Sequence, residues 1–395
     1  MNLKSKQYID HIVGPVLCSV LTVFDKLASL FPSYRRGNNR NDIRTILVIK
    51  FWGMGSILLC SAGLKQLKKS KPEARIIFLT LKRNFEILKS LDICDEVEGL
   101  EIEKGITVLL VDIVKLLFRL KKKSIDLVID FEFFTRFSAI ISYLVHANSL
   151  GGFYDPAVWR GNLHTIKVPF NRYWPAKKNF ENLIARSINT DFPDDLPFAA
   201  PRVTETDIAS LKEILHANGI SERDDIICVN ANAGELALER RWPQQNFILL
   251  IQKLLKEYKS KIILVGSSSE RPYVQSIVTA CGNDSIVNCA GMLSVRQLAA
   301  LFTRSKMLIT NDSGPLHLAI VMGTATVSFF GPETPLLYGP HGEKHIVFYK
   351  NIDCSPCMNV HTGKMVQCVK NSPECLKTIT VDDVFDKIKL SKLLG

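Results

Sequence analysis

Residues 310–340, TNDSGPLHLAIVMGTATVSFFGPETPLLYGP, constrain what this chain can fold into more than any other stretch. The apolar run at 307–310 reads as a buried strand. Asn311, Asp312, Ser313 and Gly314 break it, and Pro315 opens an apolar helix that Gly323 stops. A second strand at 326–330 ends in Gly331-Pro332-Glu333-Thr334-Pro335, a break that starts another helix. Helix starts at the carboxyl ends of neighbouring parallel strands gather free backbone N–H groups and positive dipole ends around one crevice. Such a crevice suits a diphosphate. Asp312 either caps the helix or holds a sugar hydroxyl, and His317 either reaches an anion from the first turn or packs inside.

The same alternation runs back through the chain. An apolar run at 45–50 reads as the first strand of a parallel sheet, followed by Phe51-Trp52-Gly53-Met54-Gly55-Ser56 and a helical pattern over 57–67. Strands at 75–80 and 126–130 come next, with a helix at 106–120 between them and another helical pattern at 173–190. The proline-rich acidic stretch 191–201 breaks both periodicities and reads as a domain boundary. Beyond it, helices at 205–216, 243–258 and from 294 alternate with strands at 226–230 and 261–265. At 395 residues, 47% of them hydrophobic, the chain has room for two α/β units with separate cores. The expected division is 1–40, a membrane-interface segment; 41–195 and 200–350, two Rossmann-like domains; and 351–395, a cysteine-containing tail with a final helix.

The string N-D-S-G-P-x-H-L-A, then G-T, F-G-P-E-T-P and Y-G-P, resembles the signature of glycosyltransferase family 9, the heptosyltransferases of lipopolysaccharide core assembly. The resemblance extends to the strand start near Ile46, to Arg240-Arg241-Trp242-Pro243 and to the Cys-Ser-Pro-Cys tail. It implies a GT-B arrangement, two Rossmann-like domains facing a cleft, with the acceptor on the first and the donor on the second. The implied reaction moves a heptose or related sugar from a nucleotide diphosphate, ADP-heptose-like, to a lipid-linked saccharide by single displacement with inversion.

Transfer from a nucleotide diphosphate needs a base near the acceptor hydroxyl and stabilisation of the charge developing on the leaving group. The chain has no Asp-x-Asp pair, so helix N-termini and basic side chains are the expected stabilisers, with no metal and no cofactor. Where the family commonly has Lys-x-Trp-Pro, this sequence has Arg240, which keeps the charge and adds a bidentate fork for phosphate. Glu270, in the turn after the 261–265 strand, stands where such folds hold a ribose; its alternative is a helix-start carboxylate facing the dipole. The expected donor set is thus Arg240, Glu270, Asp312, Ser313, Gly314, Pro315 and His317. Ser56 departs from the family, which carries Gly-Asp where this chain has Gly55-Ser56. Either the base has moved, with Asp130 and Glu132 at another strand end as the candidates, or the chain is a non-catalytic nucleotide- or saccharide-binding relic. An unpaired carboxylate beside Phe131, Phe133 and Phe134 is expected to have its pKa raised by desolvation; the alternative is a salt bridge to Arg136.

The balance of 50 Lys and Arg against 39 Asp and Glu, net +11, favours anionic partners. Nucleic acid is not among the expected ones, because no recognisable module or aromatic interleaving accompanies the charge. The uncharged run 12–24, interrupted by Gly14 and Pro15, falls short of the ~20 residues a span needs. With Lys4, Lys6, Lys26, Arg35 and Arg36 around it, the segment reads as lying on an anionic membrane, Leu17, Leu21, Phe24 and Leu27 sinking into it. Its alternative is a helix packed on the body. The expected location is cytoplasmic, peripheral on the inner membrane. Of ten cysteines, Cys354, Cys357, Cys368 and Cys375 form a four-thiol set with one C-x2-C knuckle; packed thiols are the expectation and a structural metal the alternative.

Overall fold

The computed structural model describes residues 3–31, 42–102, 105–234, 238–358 and 368–394. The chain divides into two compact units where Ala199 meets Ala200. In the first unit the elements run α1 (Leu3–Ala28), β1 (Thr45–Ile49), α2 (Met54–Ser70), β2 (Arg75–Leu81), α3 (Phe85–Leu91), β3 (Glu96–Leu100), α4 (Ile106–Lys121), β4 (Leu127–Asp130), α5 (Arg136–Leu144), β5 (Ser149–Tyr154), β6 (Ile166–Pro169) and α6 (Ala176–Ile188). The second runs α7 (Glu205–Ala217), β7 (Asp225–Asn230), α8 (Gln244–Glu257), β8 (Ser260–Leu264), α9 (Arg271–Cys281), β9 (Ile286–Asn288), α10 (Val295–Arg304), β10 (Met307–Asn311), α11 (Gly314–Val321), β11 (Ala325–Phe330), α12 (Pro335–Tyr338), β12 (His345–Tyr349), α13 (Glu374–Lys377) and α14 (Val381–Ser391).

Each unit is built on a six-stranded parallel sheet, β3-β2-β1-β4-β5-β6 in the first and β12-β11-β10-β7-β8-β9 in the second. Numbered within its own unit, the second order is the first read from the other edge. This is the doubly wound Rossmann order, and its strand order reverses between β1 and β4 and between β7 and β10. The central strands are buried on both faces, which is why their sequences are unbroken apolar runs rather than alternating ones.

The fold class anticipated from the sequence is the one observed: paired α/β units of GT-B type with an apolar helix at the amino end. That helix corrects the expectation of a run too short to span. Gly14 and Pro15 do not interrupt it, and its stretch Asp10–Ala28 is long and apolar enough to cross a membrane by length and composition. It also packs on the first unit through residues spaced four apart. Asp10 accepts the N–H groups of Arg136 and Phe137 at 3.1 and 2.7 Å, satisfying the start of α5. At Gly14, an added Cβ would stand 2.6 Å from the Arg136 side chain. Cys18 is fully buried against Ala139, Tyr143 and Leu163, and Thr22 Oγ1 accepts the Asn162 N–H at 3.2 Å. The remaining faces expose Ile12, Val13, Val16, Val20, Val23, Phe24 and Leu27. Helix α4, which shares a core with α5, exposes Val108, Leu110, Val111, Val114 and Phe118 on its outer side. Arg35 and Arg36, and the side chains of Lys4 and Lys6, lie outside the described residues.

Candidate active site

In the first unit the turn after β1 is held from β4. Glu132 Oε1 accepts the backbone N–H groups of Phe51 (2.5 Å) and Trp52 (3.1 Å), and its Oε2 meets Lys50 Nζ at 3.0 Å. Both partners of that ion pair are buried. Gly53, at φ 82°, supplies the left-handed residue that turns the strand into α2. Ser56 follows in the first turn of α2, half-buried.

Asp130 sits one step deeper. Its carboxylate takes Arg160 Nη2, the Ser138 hydroxyl at 2.9 Å and the Glu132 N–H at 3.0 Å, and His164 Nε2 stands 3.3 Å away. Burial pushes this carboxyl up, but Arg160, His164 and the Glu132 N–H outweigh it and hold the group below the usual carboxylate range. Burial, the larger effect on His164, pushes that imidazole down and keeps it neutral. The expectation of an unpaired carboxylate therefore fails for both residues. Asp130 is paired, with Arg160 rather than Arg136, and its pKa moves down rather than up; Glu132 is paired with Lys50. Neither partner is legible in the chain order, because Arg160 lies 30 residues after Asp130 and Lys50 lies 82 residues before Glu132.

In the second unit four strand ends converge. Asn311 closes β10; its amide donates to Ala231 O (3.0 Å) and Asn232 O (3.1 Å), and its Oδ1 accepts the Trp242 N–H at 2.8 Å. Asn230 Nδ2, at the end of β7, donates to Thr310 and Ser313 hydroxyls at 3.0 Å each. Trp242 is fully buried, stacked on Phe329 at 4.3 Å, with Nε1 donating to Ile379 O at 2.9 Å. That anchor fixes Arg240 and Arg241 beside the strand ends. Arg240 Nη1 donates to Asp312 Oδ2 at 3.2 Å and its Nη2 to Ala233 O at 2.6 Å. Arg241 lies 4.4 Å over the Tyr273 ring, with Nη2 4.0 Å from Glu270 Oε1.

Asp312 thus pairs with Arg240 and does not cap α11; Ser313 stands at the cap position with Gly314 and Pro315 opening the helix. His317 is buried, edge-on to Tyr338 at 6.4 Å. Glu270 accepts the N–H and hydroxyl of Ser267 at 2.8 Å through Oε2, a capping box of its own turn, while Oε1 faces Arg241. The second expected helix start is a single turn, Pro335–Tyr338, capped by Thr334. The seven expected donor residues are all at the carboxyl edge of this one sheet. Asn230, Asn232, Asn311, Arg241 and Tyr273 were missed. The Asn-x-Asn after the 226–230 strand was a usable signal, since strand-end amides are what a switch point needs to tie its loops. The buried Nε–H donors of Arg240 and Arg241 find no acceptor among the described residues.

Two doubly wound units with anion-directed groups at a switch point define a glycosyltransferase of GT-B type. The family model of glycosyltransferase family 9 (heptosyltransferase) matches residues 113–366, and the chain belongs to that family. Lipopolysaccharide heptosyltransferase 1 of Campylobacter coli is 23% identical over 367 residues, covering 87% of this chain and 98% of that protein. A family 9 glycosyl transferase from Veillonella parvula superposes with a TM-score of 0.71 at 21% identity, over 89% of this chain and 98% of the other. The ADP-heptose lps heptosyltransferase II of E. coli gives 0.69 at 19% identity, over 89% and 99%.

The Asp130 network predicts acid lability. A carboxyl whose folded pKa is depressed contributes stability that is full above its unfolded value, about 3.9, and is lost as pH falls through the folded value. Replacing one partner leaves the other charge buried and unpaired. Asp130→Asn or Arg160→Ala should therefore cost about 3 to 5 kcal/mol, read by urea unfolding at pH 7. The Asp130→Asn variant should also lose part of the wild type's stability change below pH 4.

Proposed function

We propose that this glycosyltransferase moves a heptose, or a related sugar, from an ADP-heptose-like donor to a lipopolysaccharide-core or other lipid-linked saccharide, with inversion and without a metal ion. The observation that carries the reading is the pair of buried Nε–H donors on Arg240 and Arg241 that find no acceptor among the described residues, with Arg240 paired to Asp312 at the amino end of α11. Buried donors of this kind are costly unless an anion completes them. A diphosphate does so, taking the Arg240 fork and the α11 N–H groups together. Glu270 Oε1 and the Arg241–Tyr273 stack supply a carboxylate and a flat cationic face for the nucleoside. The names of the relatives, heptosyltransferases among them one of ADP-heptose, support heptose as the sugar and lipopolysaccharide as the acceptor class.

In the single displacement the acceptor hydroxyl oxygen forms a bond to the anomeric carbon as the bond from that carbon to the diphosphate breaks, and the hydroxyl proton passes to water. The charge arising on the leaving diphosphate is met by Arg240 and the helix start, groups already fixed in place. Glu132 acts as a positioning residue: it carries the Phe51-Trp52 turn that presents Ser56. Arg240→Ala should weaken ADP-heptose binding by about 1.5 to 3 kcal/mol, measured by calorimetry, and adding Mg2+ or Mn2+ should leave transfer unchanged. An unchanged affinity, or a strict need for either cation, would overturn this assignment.

The same reading places the protein peripherally on an anionic, cytoplasmic membrane face. Support comes from the exposed apolar faces of α1 and α4, which belong to the same unit. Charge follows them: residues 1–199 hold 29 Lys and Arg against 20 Asp and Glu, net +9, and residues 200–395 hold 21 against 19, net +2. Apolar insertion and headgroup attraction then act from one unit. The protein should bind vesicles rich in phosphatidylglycerol and be released as salt rises from about 0.1 to 1 M. Val16→Asp with Val20→Asp should abolish binding, whereas extraction only by detergent would mean that α1 spans.

A further inference from the structure

Asp10 holds more than the position of α1. The helix it meets, α5, has no side-chain cap of its own: Thr135 stands at the cap position, but its hydroxyl lies 3.0 Å from Ser138 Oγ and bonds no backbone N–H there. The N–H groups of Arg136 and Phe137 instead find the two oxygens of a carboxylate 126 and 127 residues back in the chain. A negative group there also faces the positive end of the α5 dipole. Just before that helix start, Phe134 sits at φ 58°, a left-handed conformation that a residue of its bulk adopts only where its surroundings hold it. The Phe51-Trp52 turn is gripped from either side of this loop. Upstream, Glu132 accepts the Phe51 and Trp52 N–H groups; downstream, Phe137 lays its ring 5.3 Å from that of Phe51. A second route starts from the same helix. Gly161 packs on α1 so closely that an added Cβ would stand 2.8 Å from Thr22 Oγ1 and 3.2 Å from Cys18 O. Its neighbour Arg160 donates through Nε to Thr135 O at 3.0 Å and pairs with Asp130, which accepts the Glu132 N–H.

We propose that Asp10 is a positioning residue for sugar transfer: by capping α5 it fixes Phe137 against Phe51, and so sets the turn that presents Ser56. Helix α1 is then part of the acceptor-side machinery as well as an attachment. This role rests on the sugar-transfer reading, in which the 51–56 turn serves the acceptor. Asp10 touches no reacting group and acts only through α5. Transfer falls steeply with misplacement, about 100-fold for about 1 Å. Losing one cap while the Arg160 route stays intact loosens the turn without releasing it, and a loss of about tenfold is expected.

The test uses the full chain and its Asp10→Ala variant. Deuterium uptake read by mass spectrometry should quicken about tenfold at Phe51 and Trp52 as well as at the start of α5, and stay unchanged at residues 230–232 of the second unit. In detergent, with ADP-heptose and heptose-free lipopolysaccharide, kcat should fall about tenfold while KM for ADP-heptose holds. Asp10→Asn, which keeps a capping oxygen, should recover most of both. If Asp10→Ala fails to fold, Phe137→Leu replaces it; this variant leaves the cap and removes the ring pair, and it should give the same changes at Phe51 and in kcat. Uptake that quickens in α5 alone, or a kcat unmoved by a loosened turn, would overturn the role. A wild-type chain that transfers nothing would count against the sugar-transfer reading, and uptake at Phe51 and Trp52 would still decide whether Asp10 sets the turn.

Discussion

The side-chain amide of Asn311 is the contact on which the second unit's site depends. It is fully buried at the end of a central strand, and each of its polar atoms is used across chain segments far apart in sequence. Two donors hold the loop after β7; the acceptor holds the Trp242 backbone, and through it the arginine pair. Burying an amide is unfavourable unless it is fully hydrogen-bonded, and once satisfied it specifies one arrangement. The arginines are therefore set before any ligand arrives, and Trp242 passes the restraint on to Ile379 in the tail. Preorganisation of this kind spares a binding site the entropy of ordering two long side chains.

The first unit solves the same problem with charge. Lys50 and Glu132 fill the switch point between β1 and β4, and Asp130 with Arg160 fills the layer beneath. These pairs look like reactive groups when only the chain order is known, since both carboxylates close a strand at the edge where ligands bind. In the structure each is held by a cationic partner, Glu132 by Lys50 and Asp130 by Arg160. Glu132 serves the turn that carries Ser56, and Asp130 serves the β5 loop through Arg160.

How much of this was legible follows from which forces are local. The strands of both sheets' centres were readable because burial on both faces writes an unbroken apolar run, and the 310–340 stretch was readable because a strand, a polar turn and a helix start are contiguous there. The outer strands β3 and β9 were not: Glu96-Val-Glu-Gly-Leu carries two half-buried glutamates paired to Arg119 and Lys123, and β9 is three residues long. Asp312 could be placed beside a helix start but not paired, because Arg240 is 72 residues away in sequence. The Asp130–Arg160 and Asn311–Trp242 contacts share that property. Positions at the sheet edge could be read from the order of elements; ownership of their hydrogen bonds could not.

The attachment of α1 has a geometrical limit. An α-helix turns about 100° per residue, so a line drawn through every fourth residue drifts about 40° at each step and winds round the helix. From Asp10 through Gly14 and Cys18 to Thr22 the drift reaches about 120°. The next residue on the line is Lys26, which is exposed. Leu27, Leu30 and Phe31 beyond it are 58%, 76% and 66% exposed. The helix thus behaves as a screw that engages the protein for three turns and then runs out of thread, leaving its last turn as a free apolar tip.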